Sequence, residues 1–359
     1  MAENNREKNS GLVTIKDIST KLNVSATSVH RALTGKDGVG DALREQILMT
    51  AEEMGYERNY VASSIKRRPI RIAVVLPQDQ GLYFKHIWRG IRDIAKEARV
   101  LNIEIEEFVC VDEVHQAEIL KRIADAGPKQ YAGVITFCFV GLTKTIYQLI
   151  RLTSMGVCTV LIDDEISVVD EIHSISANPV ILGEIAAEFG ALITPESGTA
   201  LVSEGRKDSE ILATKVSSFR SYLEKEKPAI KVVPVSGFSR RPETDAEVYQ
   251  NVLCALKKHP DTVLYYALTS ADNRHVVNAV KELGMEKQVR IIATDLNEES
   301  AEFLRNGQVS AVINQGAYDK GQAAMNIILD CVVKHLKAPQ RTDCQIDVVL
   351  KHNLKFFGF

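Results

Sequence analysis

From Pro69 onward the chain alternates short β-rich runs with helical stretches, and it does so twice over. The first series reads strand 71–76, helix 84–101, strand 103–109, helix 115–126, strand 133–139, helix 143–156 and strand 157–162. An edge piece at 173–177 and a helix at 180–194 follow. The second series reads strand 199–203, a helix ending at Lys227, strand 232–236, a helix ending at His259, strand 263–268, a helix ending at Gly284 and strand 289–293. Near-continuous apolar strands separated by helices imply parallel sheets covered on both faces. Two series imply an α/β protein with two doubly wound parallel-sheet lobes. The expected crossings between lobes are Pro195-Glu196-Ser197-Gly198, Asn314-Gln315-Gly316 and a third near Ala338-Pro339. That assigns residues of about 70–195 and 316–339 to the first lobe and about 199–313 and 342–359 to the second. In such folds ligands sit at the carboxyl ends of the strands, here in the cleft between lobes.

A different periodicity precedes this region. Thr14 and Asp17 have the spacing of a capping box, and Ile15, Ile18 and Leu22 then recur on one helical face. Asn23-Val24-Ser25 breaks that helix, and Ser25 is placed to cap a second one over 26–33 with Val29 and Leu33 inward. Two short helices with Val24 as the plug between them form a helix-turn-helix. The outward face of the second helix offers Ala26, Thr27, His30 and Arg31, side chains suited to base edges and phosphates. Spacing alone fits an ordinary helical pair equally well. A third amphipathic helix spans 41–54, with Gly55 as its stop.

In order and spacing, TIKDIS, NVSATSVHRAL, LREQI with EEMGY, and NYVASSI resemble the DNA-binding headpiece of the lactose-repressor (LacI) family of bacterial transcription regulators. The resemblance covers residues 13–68 with specific motifs, and continues more loosely from Ile72 to about Leu354. There the chain is similar to the family's periplasmic-sugar-binding-protein-like effector domain. While the polar composition of residues 1–12 reads as a disordered lead-in, the resemblance implies a headpiece at 13–58, a hinge helix and linker at 59–69, and an effector-binding and dimerisation domain at 70–359. It also implies DNA contacts from Thr14, Lys16, Ser25, Ala26, Thr27, Ser28, His30 and Arg31, and from Asn59, Ser63 and Ile65 of the hinge. Ile65 stands where the family carries a leucine wedged between base steps. Serines at 63 and 64 are middling helix formers, so a seven-residue hinge forms only when packed on DNA and its twin.

The same resemblance implies effector contacts from Tyr83 or Phe84, where the alternative is an aromatic core position. Asn178 falls where the family usually has an Asp, and Lys215 where it usually has an Arg. A lysine is a point charge and lacks the planar two-pronged contact. Asp272 belongs to the cleft loop Thr269-Ser270-Ala271-Asp272-Asn273, Asp295 closes a strand, and Gln315 sits at the second crossing. For the last two the alternative is a strand-end cap or an interlobe hydrogen bond. Carboxylates, amides and a cation converging on a cleft suit a polyhydroxylated, sugar-like effector.

Composition narrows the remainder. The 359 residues are 45% hydrophobic and 25% charged, and the net charge is −3. Residues 1–70 hold 11 basic against 9 acidic side chains, and the rest 33 against 38. A mild positive bias and the run Lys66-Arg67-Arg68 therefore fall beside the headpiece. Six cysteines lie scattered with no CxxC and no grouping with histidine at metal-ligand spacing, so they read as reduced thiols and no metal site is expected. The N-terminus lacks the apolar core of a signal peptide, and no apolar run is long enough for a bilayer. GxGxxG after the first strand, GxSxG and HExxH are all missing, so neither cofactor nor catalytic residues are expected. The expectation is a cytoplasmic homodimer that is not an enzyme. It binds a double-stranded DNA operator, acts as a repressor and answers to a sugar-like effector, without membrane association. The rival reading is a two-lobed binding protein or enzyme whose N-terminal helices serve only assembly.

Overall fold

The computed structural model describes residues 13–56, 68–77, 82–137, 143–163, 171–205, 209–236 and 242–359. The chain forms two compact units, residues 1–66 and 67–359.

In the first unit, α1 (Ile15–Leu22), α2 (Ala26–Leu33) and α3 (Asp41–Glu53) enclose a small core of Ile18, Val29, Ala32, Ile47 and Ala51. Thr14 and Asp17 do form a reciprocal capping box. Asn23 takes a left-handed conformation at φ 53° to end α1, and Ser25 accepts the Ser28 N–H to begin α2. The helix α3 closes in a Schellman turn. Tyr56 N–H donates to Ala51 O at 2.8 Å and Gly55 N–H to Glu52 O at 3.0 Å, with Gly55 at φ 68°. Arg44 of α3 donates to the carbonyl oxygens of Lys36 (2.6 Å) and Ala32 (3.3 Å), a cation at the carboxyl end of α2.

The second unit contains two six-stranded sheets. The first lobe is built on β1 (Ile70–Pro77), β2 (Ile103–Cys110), β3 (Gly133–Phe137), β4 (Cys158–Ile162) and β5 (Ile172–Ser176), joined by β11 (Arg341–Asp343). Its strand order is β11-β5-β4-β3-β1-β2, all parallel. The second lobe repeats the plan with β6 (Gly198–Ser203), β7 (Ile230–Val235), β8 (Thr262–Tyr266), β9 (Arg290–Thr294), β10 (Ala311–Asn314) and an antiparallel β12 (Asp347–Val349), in the order β12-β10-β9-β8-β6-β7. The segment expected as an edge piece near 173–177 is thus an interior strand, because the distant β11 pairs along its outer side. In lobe 1, α4 (Leu82–Ala98), α5 (Glu113–Ala126) and α6 (Thr143–Ser154) cover the sheet. In lobe 2, α8 (Glu210–Glu226), α9 (Pro242–Lys258), α10 (Asp272–Glu282) and α11 (Glu298–Arg305) do so.

Two helices are exchanged between the lobes. The helix α7 (Pro179–Ile193) follows β5 of lobe 1, yet its buried face, Leu182, Ala186 and Ala187, joins the lobe 2 core with Phe219, Leu264 and Ile313. Conversely, α12 (Ala317–Leu329) follows β10 of lobe 2 and packs on α4 of lobe 1. The first crossing therefore lies at Ala177-Asn178 rather than at 195–198. The third lies between β11 and β12, at 344–346, rather than at Ala338-Pro339. Helical amphipathicity cannot say which sheet a helix covers, which is why the sequence placed α7 with the strand before it. Glycine permits both exchanges. A Cβ at Gly90 would stand 2.1 Å from Tyr318 O, and one at Gly183 would stand 2.3 Å from Lys215 O.

Candidate functional site

The cleft is lined from the carboxyl ends of the strands, where two aspartates occupy equivalent places. Asp163 follows β4 and Asp295 follows β9, the fourth strand of each lobe. Both are left-handed, at φ 63° and 64°. Each backbone N–H donates to the neighbouring strand, Asp163 to Ile175 O at 2.8 Å and Asp295 to Ile313 O at 2.9 Å. The carbonyl of Asp295 accepts from the Ser300 hydroxyl at 2.9 Å, and Asn297 caps α11 directly beyond it. Asn273 donates to Thr294 O at 2.8 Å and accepts Thr294 N–H at 3.1 Å, tying α10 to the strand end that carries Asp295. These bonds hold a conformation that costs a non-glycine residue about 1–2 kcal/mol.

Around these carboxylates the cleft closes into a charged network. Lys215 Nζ donates to Gln315 Oε1 at 2.9 Å, and Gln315 Nε2 donates to Asp295 Oδ1 at 2.7 Å. All three residues are buried. Burial raises the carboxyl of Asp295 above its ordinary range, opposed by the Gln315 hydrogen bond and by Lys215 and Lys320. Burial likewise pulls the Lys215 ammonium down to about 8, against the attraction of Asp295. On the lobe 1 side Lys320 Nζ meets Asp163 Oδ1 at 2.5 Å and the Tyr83 hydroxyl at 2.8 Å, while that hydroxyl donates to Asp163 Oδ2. The Lys320 side chain is 0% exposed. Burial, then Asp163, pushes the Tyr83 phenol well above its usual value. At the rim Lys85 of α4 reaches Glu298 of α11 at 2.8 Å, linking the lobes.

The structure thus brings together Tyr83, Lys215, Asp295 and Gln315 of the residues expected from sequence, and adds Asp163 and Lys320. Phe84 is half-buried beside them, edge-on to Phe137 with ring centroids 5.1 Å apart. Asn178 spends its side-chain oxygen on the N–H groups of Val180 and Ile181, capping α7. Asp272 folds back on its own loop, Oδ2 accepting from the N–H and hydroxyl of Thr269, each at 2.9 Å. Its Oδ1 is buried without a hydrogen-bond partner among the described residues, and burial raises the carboxyl to about 6. The missed Asp163 had a signal, since it directly follows the apolar strand β4 as Asp295 directly follows the apolar strand β9. Lys320 had none, because a lysine in an amphipathic helix ordinarily reads as solvated.

In the N-terminal unit Lys16, Ala26, Thr27, His30 and Arg31 are exposed. Thr14 and Ser25 serve as N-caps, and Ser28 contacts the Ser25 hydroxyl at 2.9 Å. Asn59, Ser63 and Ile65 lie outside the described residues.

Comparison with known proteins agrees with this architecture. Residues 72–334 match the family model described as a periplasmic binding protein domain. The HTH-type transcriptional regulator RegA of Clostridium saccharobutylicum is 24% identical over 359 residues, spanning 95% of this chain and 97% of RegA. The HTH-type transcriptional repressor CytR of Escherichia coli is 35% identical over 86 residues, 24% of this chain and 25% of CytR. Among solved structures, GanP, a glucose-galactose binding protein from Geobacillus stearothermophilus, superposes with a TM-score of 0.69 at 20% identity, covering 80% of this chain and 99% of that one. A solute binding protein from Actinobacillus succinogenes with bound D-allose gives 0.71 at 16% identity, over 80% and 99%. No described helix is long and apolar enough to cross a membrane.

Proposed function

The chain belongs to the LacI family of transcriptional regulators, with a periplasmic binding protein domain over residues 72–334, and from that premise we propose that it is a cytoplasmic, homodimeric repressor that binds a DNA operator under control of a polyhydroxylated effector. The observation that carries the effector half of this reading is the cleft network. Two carboxylates from equivalent strand ends, two ammonium groups, a phenol and an amide lie together where the two lobes meet. A sugar hydroxyl donates to a carboxylate and accepts from an ammonium at once, so alternating charges present a matched set of partners. These groups bond one another in the structure, so a ligand that parts them must supply replacement hydrogen bonds, and an apolar one would strand each separated group at roughly 1–3 kcal/mol.

For the DNA half, Ala26, Thr27 and Arg31 on the exposed face of α2 read bases. Lys16 and His30 meet phosphates, with Thr14, Ser25 and Ser28 completing the contact. Asn59, Ser63 and Ile65 form a hinge that enters the minor groove only against a partner chain and DNA. Effector binding biases the lobes between two relative orientations, and the pair of linkers across the dimer transmits the choice. A ligand moves such an equilibrium only by its difference in affinity for the two states, typically 1–3 kcal/mol of coupling.

A thermal-shift screen of aldoses, ketoses and polyols on the full chain tests the effector class. A matching sugar at a hundredfold excess over its Kd stabilises the fold by about 2.7 kcal/mol. A screen in which only apolar or aromatic compounds raise the melting temperature would overturn the assignment.

A further inference from the structure

Far from the cleft in lobe 1, three metal-ligating side chains converge from segments remote in sequence. Cys158 opens β4, His173 is the second residue of β5, and Cys331 lies in the π-helical turn Asp330–Lys334 that ends α12. One sulfur or ring nitrogen from each lies within 4.8 Å of the others. The cleft takes the carboxyl ends of β4 and β5, whereas Cys158 and His173 stand near their amino ends, so the two sites occupy opposite ends of these strands.

We propose that Cys158, His173 and Cys331 form a site for one thiophilic divalent cation of the zinc type. Ligand identity is the first support, since two thiolates and an imidazole are a recurrent zinc set that leaves a fourth position for water or an exogenous ligand. Orientation is the second. His173 Nδ1 lies 3.2 Å from Pro339 O, and an N–H donated there leaves Nε2 as the ring nitrogen with a lone pair for a metal. A ligating histidine commonly fixes its ring through a carbonyl in this way. The backbone is the third. A π-helical turn is an uncommon conformation that recurs at functional sites, and here it delivers Cys331 to the cluster. Tetrahedral zinc with bonds of about 2.0–2.3 Å places its ligand atoms roughly 3.4–3.8 Å apart, a contraction of about 1 Å from the upper bound here. Metal would staple the end of α12 to β4 and β5. The opposite end of α12 carries Lys320, so occupancy bears on the helix that reaches the cleft. The inference stands apart from the effector assignment.

The test uses the full chain, reduced, stripped with a chelator and titrated with Co2+. A single equivalent is expected to produce a thiolate-to-cobalt charge-transfer band that Zn2+ abolishes. Cys331→Ser should remove the band and the exposed Cys254→Ser should keep it. His173→Gln, which retains both thiols, should weaken binding at least ~tenfold. As a measurement that needs no variant, Zn2+ should protect Cys158 and Cys331 of the native protein from alkylation and leave Cys254 reactive. Absence of the band, its persistence in Cys331→Ser, equal labelling with and without Zn2+, or a Cys158–Cys331 disulfide in a protein whose reduced form binds no metal would each overturn the proposal.

Discussion

Replacing Lys320 with methionine probes the strongest electrostatic feature of the cleft. Lys320 is wholly buried, 2.5 Å from Asp163 and 2.8 Å from the Tyr83 hydroxyl, with its ammonium 5.4 Å from the centre of the Tyr83 ring. Methionine matches the aliphatic stem but removes the charge, leaving Asp163 with the phenol alone. Breaking a buried pair by removing one partner costs about 3–5 kcal/mol, because the survivor keeps its desolvation penalty. The Asp163 side chain retains 29% exposure, which places the expected loss near the lower end, about 3 kcal/mol. For a domain of this size that lowers the melting temperature by roughly 6–12 °C. A neutral partner no longer needs a cation, so adding Asp163→Asn to Lys320→Met should recover about 1–2 kcal/mol in a double-mutant cycle. Urea unfolding of the wild type, both single variants and the double variant measures this directly. If Lys320→Met costs less than about 1 kcal/mol, or if the two changes simply add, Lys320 and Asp163 are not coupled as a buried ion pair.

Three other variants test the cleft loop and the headpiece separately. Asp272 has a folded-state carboxyl near 6 against 3.8 when unfolded, so the folded chain binds more protons between these values. Its contribution is neutral below about pH 4, turns destabilising as pH rises from about 4 to 6, and levels off at about 3 kcal/mol above that, roughly 2 pH units at about 1.4 kcal/mol each. Asp272→Asn should therefore gain stability relative to the wild type on going from pH 4 to pH 7.5, and a pH-independent difference in unfolding free energy would contradict this. In the headpiece, Thr27→Ala should alter the preferred half-site, whereas Lys16→Ala should weaken all sequences alike and flatten the salt dependence. Binding-site selection on both proteins separates the roles, and an unchanged motif for Thr27→Ala would count against base reading.

Local signals were legible in the sequence wherever the deciding contacts are local. The Thr14–Asp17 box, the Ser25 cap, the stop at Gly55 and the two strand–helix series depend on neighbours a few residues away, and each appears in the structure. Asp295 and Gln315 were readable as the end of an apolar strand and a crossing. What escaped depends on long-range placement. Exchange of α7 and α12 between lobes is decided by which sheet offers a glycine-lined approach, at Gly183 or at Gly90. Lys320 meets Asp163 across 157 residues, and Cys331 meets Cys158 and His173 across comparable separations, so no local spacing reveals either. The absence of a Cys/His spacing motif accordingly said nothing about a cluster assembled by the fold. Asn178 fell at the expected position, but its oxygen is committed to the start of α7, a competition between capping and ligand contact that sequence alone leaves open.

Under the proposed function, occupation of the cleft changes the affinity of the headpiece for a specific operator. The direct measurement is fluorescence anisotropy of the full chain on a selected operator, with and without the stabilising sugar, for the wild type and Asp295→Ala. The sugar is expected to change the operator Kd of the wild type by at least about fivefold, the lower end of typical coupling. In Asp295→Ala the sugar should leave the Kd unchanged at the same concentration, while operator affinity without sugar matches the wild type. An operator Kd indifferent to every sugar that stabilises the wild type, or a chain that selects no sequence from random DNA, would contradict it.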